Sequence, residues 1–298
     1  MKQNNSNFLY HLVAFITVAV WGTTFVATKV LMLHGLSPAQ IFTLRFSIAY
    51  LLMLCVNHRR FFSRSWKDEG KMALLGITGG SLYFLSENEA LNFTTATNTS
   101  LIVCSCPLFA TLLVRLVYRH SSRINGIQLM GSLLAFLGMV IVVLNGRFVL
   151  HLSPAGDALA FTACICWAVY SLLMKMVSGY YSAAFITRKV FFYGVLTILP
   201  YYLFVPGWPP MEVFCQPQVV GNLVFLGCIA SMVCFLTWNW CISKLGAVKA
   251  TNWVYFNPIT TMIFAWWVLG EKITPYFLLG AVCILAGMYI ADKKTTAE

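Results

Sequence analysis

Runs of about twenty apolar residues alternate with short polar or Pro/Gly breaks along the chain. A bilayer core about 30 Å thick takes roughly 20 helical residues at 1.5 Å each, so each run is long enough to cross it. The runs fall at 8–31, 38–56, 72–92, 96–117, 125–144, 156–177, 185–205, 219–241, 248–269 and 276–291. This pattern predicts an all-α integral membrane protein with ten transmembrane helices. The alternating strands of about ten residues that mark a barrel are missing. The breaks are too short to fold a soluble domain.

The pattern also repeats. Asn88, Ala96, Ser100 and Pro107 match Asn239, Ala247, Thr251 and Pro258 at an offset of 151. Gly131, Gly138 and Met139 match Gly280, Gly287 and Met288 at 149. Trp21 and Lys29 match Trp167 and Lys175 at 146, and Arg45 and Tyr50 match Arg188 and Tyr193 at 143. Four sets in chain order predict a duplication, with residues 1–149 as the first repeat and 150–298 as the second. Five helices per repeat is an odd number, so the second copy enters the membrane from the opposite face and the repeats are inverted. Inverted repeats are a transporter architecture, with the site between the halves near the midplane.

Composition agrees with the pattern. Apolar residues make up 59% of the 298 and charged ones 10%, too few charges to cover a soluble domain of this size. Of 20 Lys and Arg, 16 fall on the side of the N-terminus and 3 on the other, with Arg45 inside helix 2. The positive-inside rule then puts both termini in the cytoplasm. The net charge of +11 is spread over the loops of that side, a topological bias that gives nucleic acid no basic patch. No cleavable signal peptide is read, because only Lys2 precedes the first run and no small-x-small site follows it. Nine of ten cysteines lie within helices, so no disulfide framework is implied. Cys104 and Cys106, like Cys164 and Cys166, diverge by about 200° on a helix and cannot chelate as pairs; packing is the simpler role.

Particular residues resemble a known family. Trp21-Gly-Thr-Thr-Phe-Val-Ala-Thr-Lys29, Arg45-Phe46 and Ala90-Leu91-Asn-Phe-Thr-Thr-Ala96 are similar to the EamA branch of the drug/metabolite transporter superfamily. So are Pro258, Leu269-Gly-Glu-Lys-Ile-Thr274 and the Gly280…Gly287 spacing. The resemblance implies ten helices in two inverted EamA repeats and carrier-mediated movement of small metabolites, often outward. The first half departs from the family by reading Val117-Tyr-Arg-His120 where a Gly-Glu is usual, which argues against a functional role for Glu271.

Candidate site residues follow from chemistry that an apolar span would otherwise avoid. Pro107 and Pro258 each remove a backbone donor midway along helices 4 and 9, and paired interrupted helices point to a central site and its hinges; a tolerated kink is the competing reading. Asn88 and Asn239 offer an uncharged donor and acceptor, against a plain interhelical hydrogen bond. Trp21, Tyr83 and Trp238 are candidate cavity aromatics, against interfacial anchors. Glu87, Glu89 and Arg45 share the outer leaflet, where charge is costly unless it pairs or meets water. Glu87 and Glu89 point to opposite sides of their helix, so one is expected to pair with Arg45 or line the outer cavity and the other to reach headgroup water. Lys29 and Lys175 read as snorkelling cations. No His-Glu-x-x-His, serine elbow or phosphate-cradling glycine loop is present, and neither metal nor cofactor is expected.

The expected protein is therefore a secondary active transporter of the plasma membrane (the inner membrane of a bacterium). It would move amino acids or related metabolites by alternating access, with export implied by the resemblance. The expected partners are a small-molecule substrate and the lipid bilayer, with protons as the candidate coupling ion. The alternatives are an uncoupled uniporter or exchanger of the sugar-phosphate or nucleotide-sugar type and, less favoured, a membrane-embedded lipid enzyme.

Overall fold

The computed structural model describes residues 2–58, 61–93, 99, 102–117, 126–144, 153–204, 207–269 and 274–293. Side chains are described from Phe8 onward within these residues, except those of Phe25, Val26, Lys29, Leu91, Arg115, Ala265, Val268, Leu269, Asp292 and Lys293. Ala96, Ser100, Glu271 and the Lys29 side chain, singled out above, thus lie outside the described residues, as do Arg59, Arg60, Arg119, Arg123, Arg147, Lys272 and Lys294. Every described regular element is helical.

In chain order the α-helices are α1 (Lys2–Leu33), α2 (Pro38–Val56), α3 (Trp66–Gly76), α4 (Leu82–Phe93), α5 (Cys106–Val117), α6 (Gly126–Leu144) and α7 (Pro154–Val177). There follow α8 (Ala183–Ile198), α9 (Pro217–Val224), α10 (Cys234–Leu245), α11 (Ala247–Asn252), α12 (Asn257–Leu269) and α13 (Pro275–Lys293). Five segments stand out as long and apolar enough to span a membrane: Pro38–Val56, Gly126–Leu144, Pro154–Val177, Ala183–Leu203 and Pro217–Leu245.

Local chemistry sets the helix ends. Ser37 caps α2, accepting from the Gln40 N–H at 3.3 Å while the Gln40 side chain accepts from the Ser37 N–H at 2.8 Å, a reciprocal capping box with Pro38 in the first turn. Ser65 caps α3, and Asp68 and Glu69 in its first turn suit the positive end of the helix. The helix therefore begins at Trp66, ahead of the apolar run that starts at 72. Gly246, at φ 83°, ends α10 in a backbone region that favours glycine.

Two rods change pitch in the same manner. α3 passes into α4 through a π turn at Ile77–Ser81, and α9 into α10 through one at Phe225–Val233. Shifting the first by the 151-residue offset lands it inside the second. A Cβ on Gly79 would lie 2.3 Å from the Tyr170 ring, so only glycine lets α7 approach this turn. Two further breaks correspond. A turn at Cys104–Ser105 precedes Pro107, and a 3-10 segment at Trp253–Phe256 precedes Pro258.

Packing is reciprocal. α1 lies against α10 and α12, while α7 lies against α4 and α5. α2 packs on the π turn at Phe225–Val233 and α8 on the one at Ile77–Ser81, and α2 and α8 also pack on each other. The densest pairing joins α6 to α13. There a Cβ on Gly138 would sit 2.6 Å from the Gly280 carbonyl oxygen, and one on Gly287 would sit 2.5 Å from that of Gly131. Pairing 131 with 287 and 138 with 280 makes the two helices antiparallel. Lipid tails are as apolar as leucine, so close backbone packing of this kind is what holds such helices together.

Candidate functional site

An aromatic cage forms where α1, α4, α7 and α10 meet. Tyr83 and Glu87 are four residues apart, Trp167 and Tyr170 three, and Phe235 and Trp238 three, so each pair projects from one helix face. Trp21 completes the group from α1. Ring centroids lie 5.1 Å apart for Trp21 and Trp238, 5.5 Å for Trp21 and Trp167, and 5.1 Å for Tyr83 and Trp167. Trp238 is fully buried.

Polar groups are set into this apolar surround. Glu87, only 7% exposed, accepts a 2.9 Å hydrogen bond from the Tyr83 hydroxyl. Arg45, buried on α2, donates from Nε to Ser231 Oγ at 2.8 Å and lays its guanidinium 4.9 Å from the Phe84 ring centroid. The Trp21 indole donates to the Ala230 carbonyl at 2.9 Å, inside the second π turn. Asn239 accepts from the Tyr170 hydroxyl and donates to Thr187 Oγ1 at 2.8 Å, which ties α7, α8 and α10 together.

A second polar cluster sits at the start of α3. The Glu69 carboxylate accepts from the Lys189 ammonium, from the Tyr193 hydroxyl at 2.6 Å and from the Ser63 N–H at 2.8 Å. Burial works against this carboxylate, but those donors outweigh it and hold its pKa down at about 2. Lys189 also faces the rings of Phe62 and Phe185 at 5.3 and 5.8 Å. Nearby, Arg188 donates to the Asn57 carbonyl, fastening the end of α2 to α8.

Of the residues singled out in the sequence, Trp21, Tyr83, Glu87 and Trp238 come together in the cage. Arg45 borders it through Phe84, and Asn239 stands behind it with its amide engaged. Pro107 and Pro258 are both buried beside the helix breaks. Glu89 turns away, accepting from the Tyr201 hydroxyl and from the Asn92 amide, each at 2.8 Å, and Asn88 is half-buried. None of the described ion pairs joins Arg45 to Glu87. Trp167, Tyr170, Phe235 and Ser231 were not picked out as site residues. Trp167 was legible as the repeat partner of Trp21, and the Phe235–Trp238 spacing was readable as a helix face.

The EamA-like transporter family model matches residues 8–144 and again 154–291. An uncharacterized transporter of Archaeoglobus fulgidus is 28% identical over 290 residues, covering 95% of this chain and 97% of that protein. An Escherichia coli protein named as a probable amino-acid metabolite efflux pump is 25% identical over 289 residues, covering 94% and 93%. A protein of Streptantibioticus cattleyicolor named as a probable terminal-alkyne amino-acid exporter is 24% identical over 281 residues, covering 94% and 92%. One crystal structure superposes with a TM-score of 0.76 at 18% identity, covering 95% of this chain and 97% of that one, a likeness of fold alone.

Proposed function

Because the chain belongs to the EamA-like transporter family, within the drug/metabolite transporter superfamily, we propose that it exports amino acids or related metabolites by secondary active transport. It is an integral membrane transporter of small metabolites and not an enzyme. The finer reading is ten spans in two inverted repeats, residues 1–149 and 150–298, with both termini in the cytoplasm and alternating access to a central site. It is supported by the matched π turns, the matched breaks before Pro107 and Pro258, and the antiparallel reciprocal contact of α6 with α13.

One observation carries the reading of the site: a buried carboxylate, Glu87, held by Tyr83 inside an aromatic cage built from both halves of the chain. A carboxylate away from water is costly in a membrane interior and marks a solute or proton path. The names of the two exporters above add amino acids as the first compounds to try. The test compares metabolites inside and outside cells with and without overexpression, followed by transport of the altered compounds in liposomes with and without a pH gradient. Export of amino-acid-like compounds that depends on the gradient is expected. Transport indifferent to the gradient would leave uncoupled exchange as the mechanism, and no altered metabolite at all would overturn the reading.

A further inference from the structure

The three indoles of the cage do not use their N–H groups alike. Trp21 donates to Ala230. Trp167, its counterpart at the 146 offset, is 6% exposed, and its Nε1 has no hydrogen-bond partner among the described residues. The position matching Ala230 in the first half is Gly79, at the 151 offset, and there the ring of Tyr170 covers the turn instead. One copy of the arrangement therefore spends its indole on a backbone carbonyl, and the other leaves it unspent. Trp238, fully buried, likewise has an Nε1 without a partner among the described residues, and its counterpart at the 151 offset is Glu87. The Trp167 and Trp238 rings lie 6.2 Å apart.

Buried donors without acceptors cost stability and are rare in folded proteins. Phenylalanine would fill most of the same apolar space without that cost. Two such donors on neighbouring rings, in a cage that also holds the Glu87 carboxylate through Tyr83, form the complement of a solute with an acceptor at one end and a cation at the other. We propose that the indole N–H groups of Trp167 and Trp238 receive the carboxylate of an amino-acid substrate whose ammonium group lies toward Glu87. This assignment rests on the transport reading above and adds to it the residues that choose the substrate's acid end.

The test uses the purified full-length protein in detergent and thermal-shift titration, which yields a Kd for each compound from the stabilisation it confers. The probes are L-leucine, L-phenylalanine and L-valine, each paired with the amine lacking the carboxylate: 3-methylbutylamine, 2-phenylethylamine and 2-methylpropylamine. The parent is expected to bind at least one acid about tenfold or more tighter than its amine. Trp167→Phe and Trp238→Phe should each erase about tenfold of that preference, the scale of a hydrogen bond to a charged group. Their affinity for the amine should stay within about twofold, which also certifies the fold. Trp21→Phe, whose N–H is already engaged, should change affinity for acid and amine together and leave the preference as it was. If both Trp167→Phe and Trp238→Phe keep the parental preference, or if Trp21→Phe loses it equally, the assignment is wrong while the transport reading stands. If the parent binds none of the six compounds, both the assignment and the amino-acid reading fall.

Discussion

Removing the charge of Glu69 while keeping its shape, in Glu69→Gln, leaves the Lys189 ammonium without its counterion. Lys189 is 5% exposed and Glu69 8%, so water cannot take over the lost role. Breaking one partner of a buried ion pair costs about 3–5 kcal/mol, whereas replacing both with neutral groups of similar size is close to neutral. Glu69→Gln is therefore expected to lose about 3–5 kcal/mol, and the double variant Glu69→Gln, Lys189→Met to recover most of it. The assay is unfolding in mixed micelles across a denaturing-detergent titration. pH supplies a second axis. The Glu69 pKa of about 2 in the fold lies below the usual value of about 4.3, so the folded state favours the ionised form. The stabilisation is complete above about pH 4.3 and is lost as pH falls toward 2. Glu69→Gln should flatten that part of the profile. A double variant as unstable as Glu69→Gln alone would refute the reasoning, since the ammonium would not then be the liability.

Gly138→Ala and Gly280→Ala would each press a methyl to 2.6 Å of the other's carbonyl oxygen. Each is expected to cost about 1–3 kcal/mol, and the pair less than the sum, because one separation of α6 from α13 relieves both; strict additivity in unfolding measurements would contradict this. Pro107→Ala and Pro258→Ala should change transport rate in liposomes more than folded yield, and parental rates in both would reduce the prolines to tolerated kinks. Glu87→Gln should abolish the pH dependence of transport, while Glu89→Gln should keep it, because Glu89 is tied to Tyr201 and Asn92 away from the cage. Unchanged rate, affinity and pH profile in both would remove these carboxylates from the transport mechanism.

What could be read from the sequence was whatever depends on length and spacing. Five of the apolar runs recur as helices long enough to span a membrane, and the glycines at 131, 138, 280 and 287 stood out by their repeat spacing. Helix starts were less legible, because the polar first turn of α3 carries no apolar signal and depends on the Ser65 cap. The π turns were invisible, since neither Ile77–Ser81 nor Phe225–Val233 carries a residue that tells one pitch from the other. The Glu69–Lys189 pair joins residues 120 apart, a separation that no local spacing rule links. The cage was half legible. Tyr83, Glu87, Trp21 and Trp238 were recognised by chemical type. That Trp167 differs from Trp21 in its hydrogen bonding is a fact of tertiary packing, which no motif records.

In the glycine contact of α6 and α13, position 131 meets 287 and position 138 meets 280, the self-complementary pattern by which two identical subunits meet about a two-fold axis. Within a true antiparallel homodimer every substitution appears on both sides of that axis, and a passage across the membrane between the copies presents the same chemistry to both faces. Two such halves joined in one chain escape that restriction. The positions of Trp21 and Trp167 carry the same residue with different hydrogen bonding, and those of Glu87 and Trp238 carry an acid opposite an indole. On the proposed inverted-repeat reading, a solute arriving from one face would meet a different order of groups from one arriving at the other, and the two faces would bind it unequally.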